Sequence, residues 1–594
     1  MATYTAPTRD MQFVINELAG LEDIARLPGF EDATPDMVEA ILEEAGNFSS
    51  EVLAPINRTG DQQGSRLVDG KVVVPDGFGE AYRQYVENGW PGLGQRVEYG
   101  GQGLPNLVST AVSEMWNAAN LALSLCPLLT TGAIEAIQGH ASEALKSTYL
   151  PDLVSGNWTA TMNLTEPQAG SDLAAIRCKA EPAGDHYLIY GQKIFITWGD
   201  HEMSENVIHL VLARLPDSPE GAGGISLFLA PKFLVNADGS LGERNDVQAV
   251  SVEHKMGVHA SPTCVMSFGD QDGATAYLVG QRDKGLAGMF TMMNHARIGC
   301  GLQGIGIADR AYQQAAEYAR ERIQGYAPGH RGRVAIIHHA DVRRMLMLMR
   351  AQTEAMRCLA YITAAALDRS HRSEGTEQRA ANQALLDLLT PVVKGWCTEV
   401  AQEVTTLGVQ IHGGMGFIEE TGVSQHFRDA RITTIYEGTT GIQAADLVGR
   451  KILRDGGATM RSLLQNLDDF ATQVEADNQR LGRVARELKQ AGRKLAEATN
   501  WMIEQAVSNP DLPGSVSVNF LMLTGTVLGG WQMARAAVIA QQRLDAGHSD
   551  SRFYQSKMVF AHFYAEQIMP RTKAYLDAVL AGTENIMELP AEML

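Results

Sequence analysis

The change of hydrophobic periodicity along the chain limits its possible folds more than any other feature. Between about residues 160 and 283, short β-branched and aromatic stretches such as "HYLIYGQKIFIT" and "ENVIHLVLARL" alternate with Gly, Pro and Asp turns. Before and after this region, apolar residues recur at helical spacing. We therefore predict an α+β multi-domain protein with an N-terminal helical domain (1–159), a central β-domain (160–283), a helical bundle (284–455) and an extra C-terminal helical domain (456–594).

Two helices are predicted in more detail. Thr34 and Pro35 open the stretch "TPDMVEAILEEAGNFSSEVLAPIN" as an N-cap and a first helical residue. The charge-free stretch from Leu512 to Ala534 is long enough to be checked as a membrane span, but it contains Ser, Thr, Asn and Gln residues. We interpret it as a buried helix and expect no stable membrane insertion.

Charge and cysteine usage exclude some classes of protein. A formal net charge of −20 argues against nucleic-acid or anionic-membrane binding, which needs a basic surface. The six cysteines are scattered without a C-x-x-C or metal-ligand spacing, so we expect reduced, buried thiols in a cytoplasmic protein. The N-terminal segment "MATYTAPTRDMQFVINELAG" lacks the basic and apolar regions of a signal peptide.

Glycine and polar clusters provide two further candidates. Gly299, Gly301 and Gly304 form a GxGxxG pattern, but it lies in a helical stretch and not in a βαβ unit, so we interpret it as a close helix-packing surface. The stretch "TMNLTEPQAGSDLAAIR" contains many groups that can hydrogen-bond a phosphate or a heterocycle. From the residues alone, a plain interdomain loop is an equally good interpretation.

A single acid, Glu437, stands between Tyr436 and Gly438 in "RITTIYEGTTGIQ". This stretch and "LTEPQAGSD", "GQKIFIT", "KMGVHASPT", "EYARERIQG", "VQIHGGMGF" and "FRDARIT" together resemble the signatures of the acyl-CoA dehydrogenase family, in the family's order. The family architecture of a helical domain, a β-barrel and a second helical bundle also agrees with the pattern described above. The C-terminal block resembles the extension of the long bacterial forms.

The resemblance implies the chemistry of Glu437. In this family the equivalent acid removes the α-proton of an acyl-CoA thioester while the β-hydrogen leaves as hydride to the flavin, and a trans-2-enoyl-CoA forms. A carboxylate withdrawn from water beside an aromatic ring is a stronger base, and Gly438 leaves room for the substrate. A glutamate that merely caps the next helix is the alternative. Some relatives place the base before an arginine that matches Arg297, but here Ala296 stands there and cannot accept a proton.

The resemblance also implies an FAD site and a CoA site. The sequence that begins at Arg322 is "RIQG", whereas members of the family more often have R-x-Q-F-G at this position. Contacts to FAD are implied for Met162, Leu164, Thr165, Gly170, Ser171, Phe195, Ile196, Thr197 and Thr439, and contacts to the FAD of a neighbouring subunit for Arg322, Gln410, Gly413 and Gly414. Substrate contacts are implied for Ser171, Arg297 and Gly438.

Because FAD would be shared between subunits, a homodimer or larger oligomer is implied, with an electron-transfer flavoprotein as electron acceptor. Within the long forms, the stretches "YTAPTRDMQFVINELAG" and "HKMGVHASPTCVMSFGD" are similar to a type that oxidises 3-(methylthio)propanoyl-CoA in dimethylsulfoniopropionate degradation. A general fatty acyl-CoA dehydrogenase of β-oxidation is the alternative, and an oxidase that uses oxygen directly would carry the same motifs. A flavin-free scaffold would have lost the flavin loop or Glu437, and a flavoprotein acting on nitroalkanes usually has aspartate as its base.

Overall fold

The computed structural model of the protein describes residues 4–594. The chain divides into two compact units. The helical unit comprises the chain up to Gly46, Pro105–Ala118 and Cys300–Leu594, and the mixed unit comprises Asn47–Leu104 and Ala119–Gly299. The first three residues of the segment examined for a signal peptide lie outside the described residues. The domain boundaries near residues 159, 283 and 455 stay predictions.

Nineteen α-helices, numbered α1 to α19 in chain order, lie within residues 4–594. The first eight are Thr8–Phe13, Leu21–Ala25, Pro35–Phe48, Ala54–Gln63, Phe78–Glu87, Asn106–Ala119, Leu121–His140 and Glu143–Ser155. The next five are Gly285–Glu321, Ala340–Arg372, Thr376–His412, Val423–Thr433 and Thr440–Ala445. The last six are Ala458–Asp477, Gly482–Ala506, Leu512–Asp545, Ser551–Phe563, Arg571–Leu580 and Glu584–Met587. As predicted, Pro35 begins α3, and the Thr34 hydroxyl accepts the Met37 N–H at 3.3 Å.

The β-strands of the described chain all belong to the mixed unit and are numbered β1 to β12. They are Arg66–Val68, Lys71–Val73, Trp158–Asn163, Lys179–Ala183, His186–Thr197, Asn206–Ala213, Ser226–Pro231, Phe233–Val235, Leu241–Arg244, Val247–Val252, Thr263–Phe268 and Ala274–Val279. Eight of them form one sheet in the order β10-β11-β5-β12-β7-β6-β3, with β4 paired to β5. Strand β3 runs parallel to β6, and the other neighbours in this sheet are antiparallel.

Strand β6 shows how the sheet is buried on both faces. Its sequence "NVIHLVLA" is buried at every position. Ile208, Leu210 and Leu212 join one hydrophobic cluster, which also contains residues of α7 and α8. The alternate residues Val211 and Ala213 join the other cluster, which consists mostly of residues of the sheet strands. A continuous apolar run is typical of such a doubly covered strand, since side chains alternate between the faces.

Small residues allow the long helices of the helical unit to pack closely. A Cβ atom on Gly301 of α9 would lie 2.5 Å from Val393 Cγ1, and one on Gly304 would lie 2.9 Å from the Cys397 carbonyl oxygen. Both contacts are with α11, so the packing interpretation of this glycine pattern is confirmed. On α16, a Cβ on Gly525 would lie 2.1 Å from Trp396 Cγ.

Two helices within the described chain, α7 and α16, are long and apolar enough to span a membrane by length and composition. The most apolar windows of these helices are 72% and 67% buried inside the protein. This burial is typical of core helices, and the prediction of a buried helix at Leu512–Ala534 is confirmed. The six cysteines are also free and buried, as predicted.

Candidate active site

Glu437 lies in a tight turn between α12 and α13 of the helical unit. Its backbone is left-handed, with φ 55°, and Gly438 follows with φ 86°. A left-handed conformation is uncommon for a residue with a side chain. The Glu437 side chain is half-buried, and its Oε2 atom is buried. The turn thus holds one carboxylate in a defined position at an energetic cost.

Two buried side chains hydrogen-bond the backbone of this turn. The Lys394 ammonium group donates to the Gly438 carbonyl oxygen at 2.7 Å. The Gln443 amide donates to the carbonyl oxygens of Glu437 at 3.0 Å and Gly438 at 3.3 Å. The left-handed backbone of residue 438 favours glycine, because glycine alone adopts it without strain. The room that Gly438 leaves for a substrate stays a prediction.

The residues on either side of Glu437 are also fixed. The Tyr436 hydroxyl donates to the Gln303 side-chain oxygen on α9. Burial, then the thiol of Cys300 and the carboxylate of Glu437, raise the pKa of Tyr436 well above its usual value, so the phenol stays neutral. Thr439 caps α13 by accepting the Ile442 N–H at 3.3 Å. The turn therefore has a rigid support on both sides.

In the mixed unit, Met162 lies on β3, and the loop after β3 contains the predicted flavin contacts Leu164, Thr165, Gly170 and Ser171. Its anchor is Glu166, which is 3% exposed and pairs with Lys193 at 2.8 Å, while Lys193 also donates to the Leu164 carbonyl at 2.9 Å. Burial opposes ionisation of Glu166, but the Lys193 ammonium and the N–H groups of Arg177 and Cys178 outweigh it and lower its pKa. The Leu164 side chain is buried, Met162 and Thr165 are half-buried, and Gly170 and Ser171 are exposed.

Strand β5 presents an aromatic ring beside this loop, because the Ile194 N–H donates to the Thr165 carbonyl at 2.9 Å. Phe195 has a left-handed backbone with φ 61°, and 59% of the residue is exposed. Ile196 is buried and offers only backbone groups, whereas Thr197 is half-buried. A left-handed backbone at a residue with a side chain is costly, and such strain is concentrated at ligand-binding and active sites.

Arg297 lies in the mixed unit on the first part of α9 and is 4% exposed. Its Nη1 atom lies 3.4 Å from the Asn294 side-chain oxygen. The preceding residue, Ala296, is also buried. A buried guanidinium favours an anionic or carbonyl partner.

The other predicted FAD contacts lie at the adjoining ends of α9 and α11 in the helical unit. The Tyr318 and His412 rings stack at 4.3 Å and bring these ends together. Arg322 and Gln410 are exposed, and the Arg322 guanidinium lies 3.2 Å from the Gln324 side-chain oxygen. Nothing within 4 Å would meet a Cβ on Gly413 or Gly414, and Gly413 has φ 58°.

These observations fit FAD in each unit taken by itself. The mixed unit offers an exposed aromatic face beside a loop of polar and backbone groups, which suits a flat heterocycle. The helical unit offers an exposed arginine near an open glycine turn, which suits a pyrophosphate. The structure places Glu437, Gly438 and Thr439 in the helical unit with Arg322, Gln410, Gly413 and Gly414, and places the remaining predicted residues in the mixed unit.

Sequence reasoning missed four supporting residues: Glu166, Lys193, Lys394 and Gln443. A signal was present for the lysines, because each stands within an apolar run, "QKIFI" or "PVVKGW". A charged residue in such a run indicates a buried, paired group. The sequence did not identify its partner, since Lys394 and Gly438 are 44 residues apart.

Comparison with protein families agrees with this architecture. The N-terminal, middle and C-terminal domains of acyl-CoA dehydrogenase match residues 35–157, 161–271 and 283–453. A domain described as acetyl-CoA dehydrogenase C-terminal like matches residues 463–590. The chain belongs to the acyl-CoA dehydrogenase family and is an FAD-dependent acyl-CoA dehydrogenase.

Individual relatives extend over nearly the whole chain. The 3-methylmercaptopropionyl-CoA dehydrogenase of Ruegeria pomeroyi is 47% identical over 96% of this chain and 97% of its own. A butyryl-CoA dehydrogenase of Syntrophomonas wolfei is 32% identical over 100% and 99%. The crystal structure of an acyl-CoA dehydrogenase complexed with FAD from Bacillus anthracis is similar in fold, with a TM-score of 0.76, 21% identity, and coverage of 94% of this chain and 90% of that chain.

Proposed function

We propose that Glu437 is the base of this dehydrogenase. Its carboxylate takes the α-proton of the acyl-CoA thioester, the β-hydrogen leaves as hydride, and the α–β bond becomes the trans double bond of a 2-enoyl-CoA. Bound FAD supplies the acceptor for that hydride. The observation that carries the proposal is the left-handed turn, which fixes this one carboxylate between a neutral tyrosine and a glycine.

The cofactor and substrate contacts belong to the same proposal. Phe195 would pack against the flavin ring, and the loop anchored by Glu166 would hydrogen-bond its polar edge. Arg322 and the Gly413–Gly414 turn bind the FAD of a partner subunit. The full set for FAD is Met162, Leu164, Thr165, Gly170, Ser171, Phe195, Ile196, Thr197, Arg322, Gln410, Gly413, Gly414 and Thr439, and the set for the acyl-CoA is Ser171, Arg297 and Gly438.

For the substrate, we propose 3-(methylthio)propanoyl-CoA. The support is the 47% identity to the Ruegeria enzyme over 96% of this chain. A general straight-chain acyl-CoA is the second candidate, and the match to a butyryl-CoA dehydrogenase favours it. The two candidates differ in whether a sulfur atom or a methylene group occupies the acyl pocket.

We propose a cytoplasmic homodimer that passes electrons to an electron-transfer flavoprotein. Apolar side chains are exposed on the two segments that carry the predicted contacts to the partner's FAD, and an exposed patch of this kind favours a protein interface. They are Ile323 (59%), Tyr326 (72%), Met415 (51%), Phe417 (87%) and Ile418 (44%). The cytoplasmic location is supported by the free, buried cysteines.

An anaerobic titration of the FAD-loaded protein tests the reaction and the substrate together. The panel contains butyryl-, octanoyl-, palmitoyl- and 3-(methylthio)propanoyl-CoA, and the visible flavin band is followed. We expect 3-(methylthio)propanoyl-CoA to bleach the band at the lowest concentration. Preferential bleaching by a straight-chain thioester would overturn the sulfur substrate, and a band that no thioester bleaches would overturn the reaction.

A further inference from the structure

Two buried polar side chains approach the Glu437 turn from the interior of the helical unit. Lys394 lies in the middle of α11, Gln443 lies on α13, and both residues are 0% exposed. A buried ammonium or amide group is expensive unless it forms hydrogen bonds. The carbonyl oxygens of Glu437 and Gly438 accept such bonds from these two residues.

These hydrogen bonds act on a turn whose backbone conformation is unfavourable. A left-handed backbone at a residue with a side chain is unfavourable and persists only where the surroundings enforce it. If the carbonyl groups of residues 437 and 438 lost their donors, the peptide could rotate toward the right-handed region. That rotation would turn the Cα–Cβ bond and swing the carboxylate away from its present direction.

Helix α16 of the C-terminal block fills the space behind these residues. A Cβ on Gly395, next to Lys394, would lie 2.5 Å from Leu521 Cδ2 and 3.4 Å from Gln443 Cβ. Helices α11, α13 and α16 therefore meet at Gly395, and the donors have little room to move. The support of the turn is as close-packed as a protein core.

We propose that Lys394 and Gln443 are positioning residues that hold the Glu437 carboxylate in its proton-abstracting orientation through the backbone of residues 437 and 438. The inference rests on the proposed role of Glu437 as base. The two donors act on the turn from the side of the interior, so their removal should slow the proton abstraction and leave substrate binding nearly unchanged.

Three substitutions in the FAD-loaded protein test the proposal. Gln443→Leu and Lys394→Met remove the donors at similar volume, and Lys394→Arg restores a cationic donor. Gln402→Leu is the matched control, because Gln402 also donates to a main-chain oxygen, that of Ala430 at 2.8 Å, away from the turn. Each protein is assayed for kcat and KM, FAD content, and exchange of the acetyl-CoA α-hydrogens with D2O. Acetyl-CoA has no β-carbon, so this exchange reports proton abstraction without oxidation.

We expect Gln443→Leu and Lys394→Met to lower both kcat and the exchange rate by about 10- to 100-fold, because small displacements of a reacting group have effects of this size. KM should stay within about 3-fold, since ground-state binding is not altered. FAD content should not change, Lys394→Arg should recover most of the loss, and Gln402→Leu should behave as the parent.

The proposal is overturned if folded, FAD-containing Gln443→Leu keeps kcat and exchange within about 2-fold of the parent, below the effect of displacing a reacting group. If Lys394→Met does not fold, Gln443→Leu alone tests the proposal. Replacing the neutral Gln443 by leucine leaves no buried charge unpaired, so this variant is expected to fold. A Glu437→Gln protein provides the separate control for the base itself. Unchanged exchange in that protein would overturn the role of Glu437 and not merely its positioning.

Discussion

Glu437 and Phe195 share an unusual backbone conformation at the level of single residues. Within residues 4–594, the residues other than glycine with positive φ are Asp69, Phe195, Trp198, Val258, Asp283 and Glu437. Strained residues of this kind concentrate at functional sites, where the surrounding structure enforces them. The motifs in the sequence identified Glu437 and Phe195 as candidates, but no local pattern showed their conformation. Lys394 and Gln443 hydrogen-bond the backbone of the Glu437 turn, and Phe195 lies where the pairing of β5 with β11 shifts register, so both positions are set among tertiary contacts.

Phe195 allows the strain to be separated from the function. Phe195→Ala and Phe195→Gly both remove the exposed ring, so both should weaken FAD binding. Only glycine adopts the left-handed backbone freely. The free energy of unfolding should therefore be about 1 kcal/mol higher for Phe195→Gly than for Phe195→Ala. Urea unfolding of the FAD-free proteins measures the difference. If the alanine protein were the more stable of the two, the backbone of residue 195 would not be strained.

At the level of elements, the short β-branched and aromatic stretches correctly predicted strands β5 and β6. It did not predict β4, whose sequence "KAEPA" contains Pro, Lys and Glu, residues that are rare in strands. Pairing of Lys179–Ala183 with β5 fixes this segment in the sheet. Strand β10 was also missed, and it has a register shift between Ala249 and Ser251. Strands that depend on a partner for their conformation carry a weak local signal.

Helix α16 provides a test of close packing with a control in the same element. A Cβ on Gly525 would lie 2.1 Å from Trp396 Cγ, so Gly525→Ala should destabilise the protein by about 1–3 kcal/mol through overpacking. Nothing within 4 Å would meet a Cβ on Gly514, so Gly514→Ala should stabilise by up to about 1 kcal/mol through helix propensity. Chemical unfolding measures both changes. The same sign for both substitutions would contradict the packing of α16 on α11.

At the level of the whole chain, the C-terminal block is an integral part of the helical unit. The buried ammonium of Lys557 on α17 pairs with Glu354 on α10 at 2.9 Å and also with Asp10 near the N-terminus. Arg571 on α18 forms a two-pronged ion pair with Glu403 on α11, at 2.7 and 2.8 Å. The sequence predicted the helices of this block, but not these partners, because ion pairs between residues 168 to 547 positions apart leave no local pattern.

Buried histidines predict how stability depends on pH. Burial lowers the pKa of His201 to about 4 and that of His209 and His426 to about 3, from 6.5. Below pH 6.5 these histidines bind protons in the unfolded chain but stay neutral in the folded chain. The free energy of unfolding therefore decreases as the pH falls from 6.5 toward 4. Asp368 opposes this trend, since burial raises its pKa to about 6.

The contribution of one histidine is measurable by substitution. We expect the parent to have a lower urea midpoint at pH 5 than at pH 7. His426→Gln should reduce the difference in unfolding free energy between these pH values by up to about 2 kcal/mol, from 1.36 kcal/mol per pKa unit. A pH dependence that is the same in His426→Gln and in the parent would contradict a neutral, buried His426.

The central claim is that Glu437 removes the α-proton, and the rate of anaerobic flavin reduction by a saturating acyl-CoA tests it most directly. Glu437→Gln keeps the shape of the side chain and removes the base, whereas Glu420→Gln makes the same change at an exposed residue of the same unit. We predict a loss of about 10²- to 10⁴-fold for Glu437→Gln, which is the usual contribution of a general base, and no change for Glu420→Gln. Reduction of the Glu437→Gln protein at the parent rate, with FAD bound, would contradict the account.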